Sequence, residues 1–256
     1  MPTDGLILYE FPCNERIRFY LRVESLAKRF RWFCDQESPI AHQAAIGAIF
    51  DLSDVAARSD LRNELVQELV RQRLSVEEAA KTATGDEAER ITLKLKEFAE
   101  VSADVSRVVG RSSQSIRDNE WLQLIRNRQQ LPGGTCEFDI PQLHFWLSRP
   151  TAQRRAELET LASAFMPTIR AISLILERMR QTTLIREAEA VNGMLQLPVS
   201  GRSYTLARIW LPQEATLVPE ASANKYMLWL RFSRPDERFR LHVVKERVPF
   251  RLGLCL

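Results

Sequence analysis

Phe19, Val23, Leu26, Phe30 and Phe33 recur at i, i+4, i+7, i+11 and i+14, which draws one apolar stripe along a long first helix. Pro12 ends an extended lead-in, and Asn14 is the expected N-cap. Arg18, Arg22 and Arg29 each precede a stripe residue by one position, so they lie about 100° round the helix from it. Pro39, Ala41–Phe50 and Val55 predict a second helix. Leu61, Leu65 and Leu69, with Val66 and Val70, predict a third that runs to Ala80, and Thr82–Gly85 reads as a turn. Ile91, Leu95, Phe98, Ser102, Val105 and Val109 then alternate in steps of four and three. That heptad-like seam faces either the preceding helix in an antiparallel hairpin or a second copy of the chain, and Gly110 ends it. A helix from Ser115 to Gln129 is expected to bury Ile116, Trp121, Leu122 and Ile125, stopped by Pro132-Gly133-Gly134. Pro141–Leu147 is a short apolar turn or helix. Thr151 is the expected N-cap of a helix marked by Leu158, Leu161 and Phe165, and Pro167 opens another with Ile169, Ile172, Leu176 and Met179 on one face.

The periodicity changes after Gln181. Asn192-Gly193 between strand-like arms, 188–197, predicts a hairpin. Ser203–Leu211, Tyr226–Phe232, Phe239–Val244 and Phe250–Leu254 read as strands, punctuated by Pro212, Pro219, Pro235 and Pro249. A short strand at Leu6–Tyr9 is expected to join their sheet and tie the termini together. Helices followed by strands predict an α+β chain, with a helical domain at 10–182 and a small antiparallel β-strand domain from 1–9 and 183–256.

Composition narrows the function classes. The chain has 256 residues and a formal net charge of +3, so it is only mildly basic, where a general nucleic-acid binder is usually more lopsided. Cys13, Cys34, Cys136 and Cys255 are scattered without a Cys-x-x-Cys, which argues against zinc and for free thiols in a reducing cytosol. The start, Met1–Gly5, lacks a signal-peptide pattern, and no apolar run was expected to reach membrane-spanning length. Cytoplasmic location without direct membrane contact is the expectation.

Phosphate loops, dinucleotide fingerprints and the Gly-x-Ser-x-Gly elbow are absent from the sequence. His42, His144 and His242 have no metal-like spacing, so neither metal nor cofactor is expected. Cys136 as a nucleophile with His144 as its base is outweighed by the plainer reading of a small buried cysteine, and an enzyme is not expected. What remains is a cationic set with aromatics: Arg16, Arg18, Arg22, Lys28, Arg29 and Arg31 on the first helix, and Arg117, Arg126 and Arg128 later. These either pair with nearby acids such as Glu10 and Glu24 or hold an acidic peptide through bidentate forks. His144 is either a core residue or a rim residue whose titration makes binding pH-sensitive.

The opening Tyr9-Glu10-Phe11-Pro12-Cys13-Asn14-Glu15-Arg16-Ile17-Arg18 through Leu21-Arg22-Val23-Glu24, the block Leu131–Leu147 and the short Leu230-Arg231-Phe232 resemble the ZapD family of bacterial cell-division proteins. That resemblance implies a non-enzymatic homodimer, made through the helical domain. It implies that the protein binds the acidic C-terminal tail of the tubulin-like FtsZ and bundles its filaments at midcell. It carries tail binding to Arg18, Arg22, His144, Lys225 and Arg231. Two positions depart from the pattern: Met227 stands where a cation is expected, and Glu120 where a relative carries positive charge. Arg117 and Arg126, near in sequence, are the expected compensation. The rival reading is a nucleic-acid-binding protein using the arginine-rich first helix, whereas the resemblance implies no nucleic acid.

Overall fold

The computed structural model describes residues 5–57, 60–108, 112–198, 204–224 and 226–255. Among these the chain is α+β and divides into two units: Arg22–Leu176, and Met1–Leu21 together with Glu177–Leu256. The first helix, α1 (Glu15–Asp35), starts as its sequence predicts: Asn14 Oδ1 accepts the Ile17 N–H at 2.9 Å. Its buried stripe contains Phe19, Val23 and Phe30, widened by Ile17, Tyr20 and Cys34.

The helical unit is centred on α2 (Pro39–Val55), which buries His42, Ala45, Ile46, Ala48, Ile49, Phe50, Leu52 and Ser53. Small and branched side chains on nearly all sides let it pack against α5 (Ser112–Arg117), α7 (Pro141–Leu147) and α8 (Thr151–Ala162). Between them, α3 (Leu61–Ala80) and α4 (Asp86–Val108) form a hairpin turned at Gly85, whose φ is +58°. Phe98 and Val105 of the α4 seam are buried within the chain, as are Leu65 and Leu69 of α3. The in-chain alternative therefore holds for these seam positions; Val109 and Gly110 lie outside the described residues.

Three helical expectations need correction. The single helix over Ser115–Gln129 is two, α5 and α6 (Glu120–Gln129), because Asn119 leaves helical geometry and its Oδ1 accepts the Leu122 N–H at 3.0 Å. A capping side chain that competes for backbone N–H groups breaks a helix from within. Thr151 is the first helical residue rather than the cap, with Pro150 before it, and its hydroxyl donates to Glu37 O at 3.3 Å. A continuous helical run, Thr151–Gln181, joins α8 through a short 3-10 turn (Ser163–Phe165) to α9 (Met166–Gln181) and is long and apolar enough, by composition, to cross a membrane. Its apolar residues Leu158, Phe165, Ile172, Ile175 and Leu176 are all buried in the protein, so it reads as a core helix.

His42 and Arg154 form the polar centre of the helical unit. Both are almost fully buried. Arg154 Nε donates to His42 Nδ1 at 3.0 Å, and its terminal nitrogens donate to the carbonyls of Leu147, Arg149 and Glu37. Since Nδ1 accepts, the ring proton belongs on Nε2, which donates to Gln36 O at 2.8 Å. One buried guanidinium thereby satisfies the ends of α1 and α7 and the start of α8.

The other unit is a pair of antiparallel four-stranded sheets. One has the order β1 (Leu6–Pro12), β4 (Leu206–Pro212), β8 (Val248–Cys255), β2 (Ile185–Ala190); the other runs β3 (Met194–Pro198), β6 (Met227–Pro235), β5 (Val218–Ala223), with β7 (Leu241–Val243) also on β6. Their inner faces share one core, including Ile209, Leu211, Leu230, Phe232, Phe250 and Leu252. The first strand pairs with β4 and so joins the N-terminus to this unit, as its sequence suggested. Asn192 (φ 52°) and Gly193 (φ 67°) make the expected tight turn. Its arms then diverge, however: beyond the Val191–Met194 bridge, β2 pairs with β8 and β3 with β6. A Cβ on Gly193 would lie 2.3 Å from Val244 O, so close backbone packing as well as the positive φ requires glycine. β5 was not anticipated. Its Pro219 sits at a sheet edge, where a missing N–H is tolerated.

On the far side of β1 and β4, Glu10 joins two arginines. Arg180 holds it bidentately at 2.9 and 2.6 Å, and Arg208 Nε reaches it at 2.9 Å. The three side chains are only 13–21% exposed. Arg208 also stacks on Trp210, 4.8 Å from the ring centroid.

Candidate functional site

Arg18 and Arg22 lie one turn apart on α1, on the arc beside the buried stripe. Arg18 is half exposed and pairs with Glu15 at 3.1 Å. Arg22 is exposed and has no ion-pair partner among the described residues. The two carboxylates considered as their core partners are engaged elsewhere: Glu10 by Arg180 and Arg208, and Glu24 by Lys28 at 3.1 Å. Arg18 and Arg22 therefore face solvent, which is what a contact surface needs.

Arg126, on the last turn of α6, is instead held by the fold. It pairs with Asp54 at 2.5 Å and lies over the Phe50 ring at 5.9 Å. Together with Arg29, which pairs with Asp51 at 3.7 Å, it walls a groove of about 560 Å³ floored by Ala44, Gly47 and Ala48. Arg117, at the end of α5, is exposed with no recorded partner among the described residues. The structure thus puts Arg126 with Arg29 along this groove, which Arg117 does not line.

His144 is a surface residue, not a core one: its side chain is 57% exposed, and Nδ1 lies 3.1 Å from Glu137. Pro141 starts the short helix α7, and period-three packing turns Leu143 and Trp146 inward, leaving His144 and Phe145 outside. Trp146 contacts Trp121 of α6 at 5.7 Å and donates its indole N–H to Glu157 at 2.6 Å, which anchors the helix under the exposed pair. The recorded partner of His144 is Glu137, not Cys136. The expectation of a buried Cys136 needs correction: it is an exposed free thiol, because it sits in the surface turn after Gly133-Gly134.

In the β-sheet unit, Arg231 is on the outer face of β6. Register places it between Met194 of β3 and Glu220 of β5, and it pairs with Glu220 at 2.8 Å. The row below it is Gln196, Trp229 and Ser222. Together these residues line a shallow hollow of about 340 Å³. Trp229 was not among the predicted site residues. Its alternation with Met227 and Arg231 along one strand was the available signal, since residues two apart share a sheet face. Lys225 lies outside the described residues.

Exposed arginines beside aromatic and aliphatic hollows are features of surfaces that hold another polypeptide, with the apolar floor supplying affinity and the guanidinium groups selecting acidic residues. No cluster of metal-ligating side chains occurs among the described residues. The class is that of a cell division protein: the model of the ZapD cell division protein family matches residues 21–231. The chain belongs to that family. The match covers Arg22, Arg117, Arg126, His144, Lys225 and Arg231, and it begins after Arg18.

Proposed function

We propose that the protein is a cytoplasmic, non-enzymatic homodimer that binds the acidic C-terminal tail of FtsZ and cross-links FtsZ filaments at the midcell division site. Family membership over residues 21–231 carries this reading. The exposure of Arg18, Arg22, His144 and Arg231 supports a role for them in tail binding, alongside Lys225. Arg126 is better read as a groove wall paired to Asp54, and Arg117 as a peripheral contact. A dimer offers two equivalent sites on one particle, so it bridges two filaments, and weak sites repeated along a filament act together.

The test is co-pelleting with FtsZ and GTP, with and without the FtsZ tail. Loss of pelleting on tail removal is expected. Equal pelleting without the tail, or tight binding to unrelated DNA at physiological salt, overturns the proposal. Within that assay Arg22→Glu is expected to abolish bundling while leaving the circular dichroism spectrum and the oligomeric state unchanged, because the side chain is exposed and has no ion-pair partner among the described residues.

A further inference from the structure

The hairpin joining β6 to β7 keeps an aromatic ring where neither the backbone nor the core has a use for it. The turn Asp236–Phe239 closes with the Phe239 N–H on Asp236 O and the Asp236 N–H on Arg240 O, each at 2.9 Å. Asp236 Oδ1 fixes it further by accepting the Arg238 and Arg240 N–H groups at 2.8 and 2.9 Å. This geometry forces Phe239 to φ +59°. Glycine or asparagine normally fills such a position, and a bulky side chain there is conformationally unfavourable. The ring is also 86% exposed, so its unfavourable backbone is not offset by burial. Leu241 and Val243 follow at alternate positions and are each 44% exposed.

The surrounding charge is positive. Residues 234–247 carry five Arg and Lys side chains against three carboxylates. Arg234, Arg240 and Arg247 have carboxylate partners, whereas Arg238 and Lys245 have none recorded among the described residues. Cations therefore flank the ring on both sides in sequence. Among the described residues β7 pairs with β6 alone, which leaves its other edge without a strand partner there.

We propose that this hairpin tip docks on an anionic phospholipid surface, with Phe239 entering the headgroup–acyl boundary and Arg238, Arg240 and Lys245 meeting lipid phosphates. Interfacial anchors combine an apolar tip with basic residues in this way. A ring bare on nearly every side suits a fluid surface into which it sinks. The aliphatic Leu241 and Val243 favour hydrocarbon over nucleic-acid bases, which stack on aromatic rings. The expectation of no direct membrane contact came from the lack of a spanning run and does not bear on a tip that lies in the interface. The proposal is independent of tail binding.

The test is co-sedimentation of the full chain with phosphatidylcholine vesicles, alone and with phosphatidylglycerol added. Binding is expected only with the anionic lipid, and to fall as salt rises. Phe239→Gly is expected to weaken it about tenfold while leaving the melting temperature unchanged or higher, since glycine accepts the positive φ. Arg238→Glu is expected to weaken it about fivefold. Four results would each overturn the proposal. They are no dependence on anionic lipid, tip variants that bind like the parent, a melting temperature lowered by Phe239→Gly, and tip variants that change self-association or single-stranded DNA binding but not vesicle binding.

Discussion

Acidifying the protein below the ordinary histidine pKa of 6.5 is expected to loosen the helical unit through one residue, His42. Burial comes first among the causes that lower its pKa, and the Arg154 charge adds to it, against carbonyl hydrogen bonds from Gln36 and Cys34 that partly oppose it. Geometry gives the same direction: a proton on Nδ1 would point at the Arg154 Nε–H, which already occupies that lone pair at 3.0 Å. A depressed folded-state pKa means that the stabilisation is complete above the unfolded value and is lost as the pH falls through the folded value. Just below pH 6.5 the unfolded chain takes up more of the proton than the folded chain does. One such proton makes unfolding easier by about 1.4 kcal/mol per pH unit over that window. The assay is urea unfolding followed by far-ultraviolet circular dichroism at pH 7.5, 6.5 and 5.5, with His42→Gln beside the parent. Carboxylates titrating in both proteins cancel in the difference. The parent is expected to lose more stability than the variant between the two lower pH values, by at most about 1 kcal/mol. Parallel pH profiles would show that His42 charges freely in the fold and would refute the account of the node.

Two further substitutions probe the β-sheet unit. Glu10→Gln leaves Arg180 and Arg208 facing a neutral amide in a place only 17% exposed, and is expected to lower stability by about 3 kcal/mol in thermal or urea unfolding. Retention of parental stability would mean that water screens the triad. Gly193→Ala places a methyl group 2.3 Å from Val244 O on a backbone of φ 67° and is expected to cost about 2–4 kcal/mol, read as a lowered Tm. An unchanged Tm would show that the hairpin can shift its path.

What could be read in the sequence was local. The α1 stripe, its Asn14 cap and the Asn192-Gly193 turn each depend on residues within a few positions of one another, and each is present. β5 escaped because Val218-Pro219-Glu220-Ala221-Ser222-Ala223 contains few β-formers; its strand geometry comes from pairing with β6. The break between α5 and α6 escaped because an apolar period runs across it and only the Asn119 side chain decides the matter. The surface position of His144 was not legible either. An apolar neighbourhood in sequence says nothing of which face of a short helix turns outward, and α7 turns Leu143 and Trp146 in. Least visible were the ionic partners. Arg126 meets Asp54 from 72 positions away, and Arg180 meets Glu10 from 170. Only the folded chain separates arginines that hold the protein together from those left to face a partner.

That separation bears on how tightly an acidic tail would be held under the proposed function. Arg18, His144 and Arg231 each already have a carboxylate, from Glu15, Glu137 and Glu220. An incoming acidic peptide must therefore exchange one carboxylate for another at these positions, and exposed pairs of this kind contribute about 0–1 kcal/mol. On the proposed function, single-site affinity is then modest and salt-sensitive, and bundling depends on many sites acting together. Removing the resident acid should reveal this. Glu220→Gln frees Arg231 and removes a like charge from the path of the tail, so tail-peptide affinity, followed by fluorescence anisotropy at low salt, is expected to rise about two- to fivefold. The gain should shrink as salt is added. If Glu220→Gln weakens the peptide instead, the Arg231–Glu220 pair is positioning the guanidinium rather than competing for it, and the exchange picture fails at that strand.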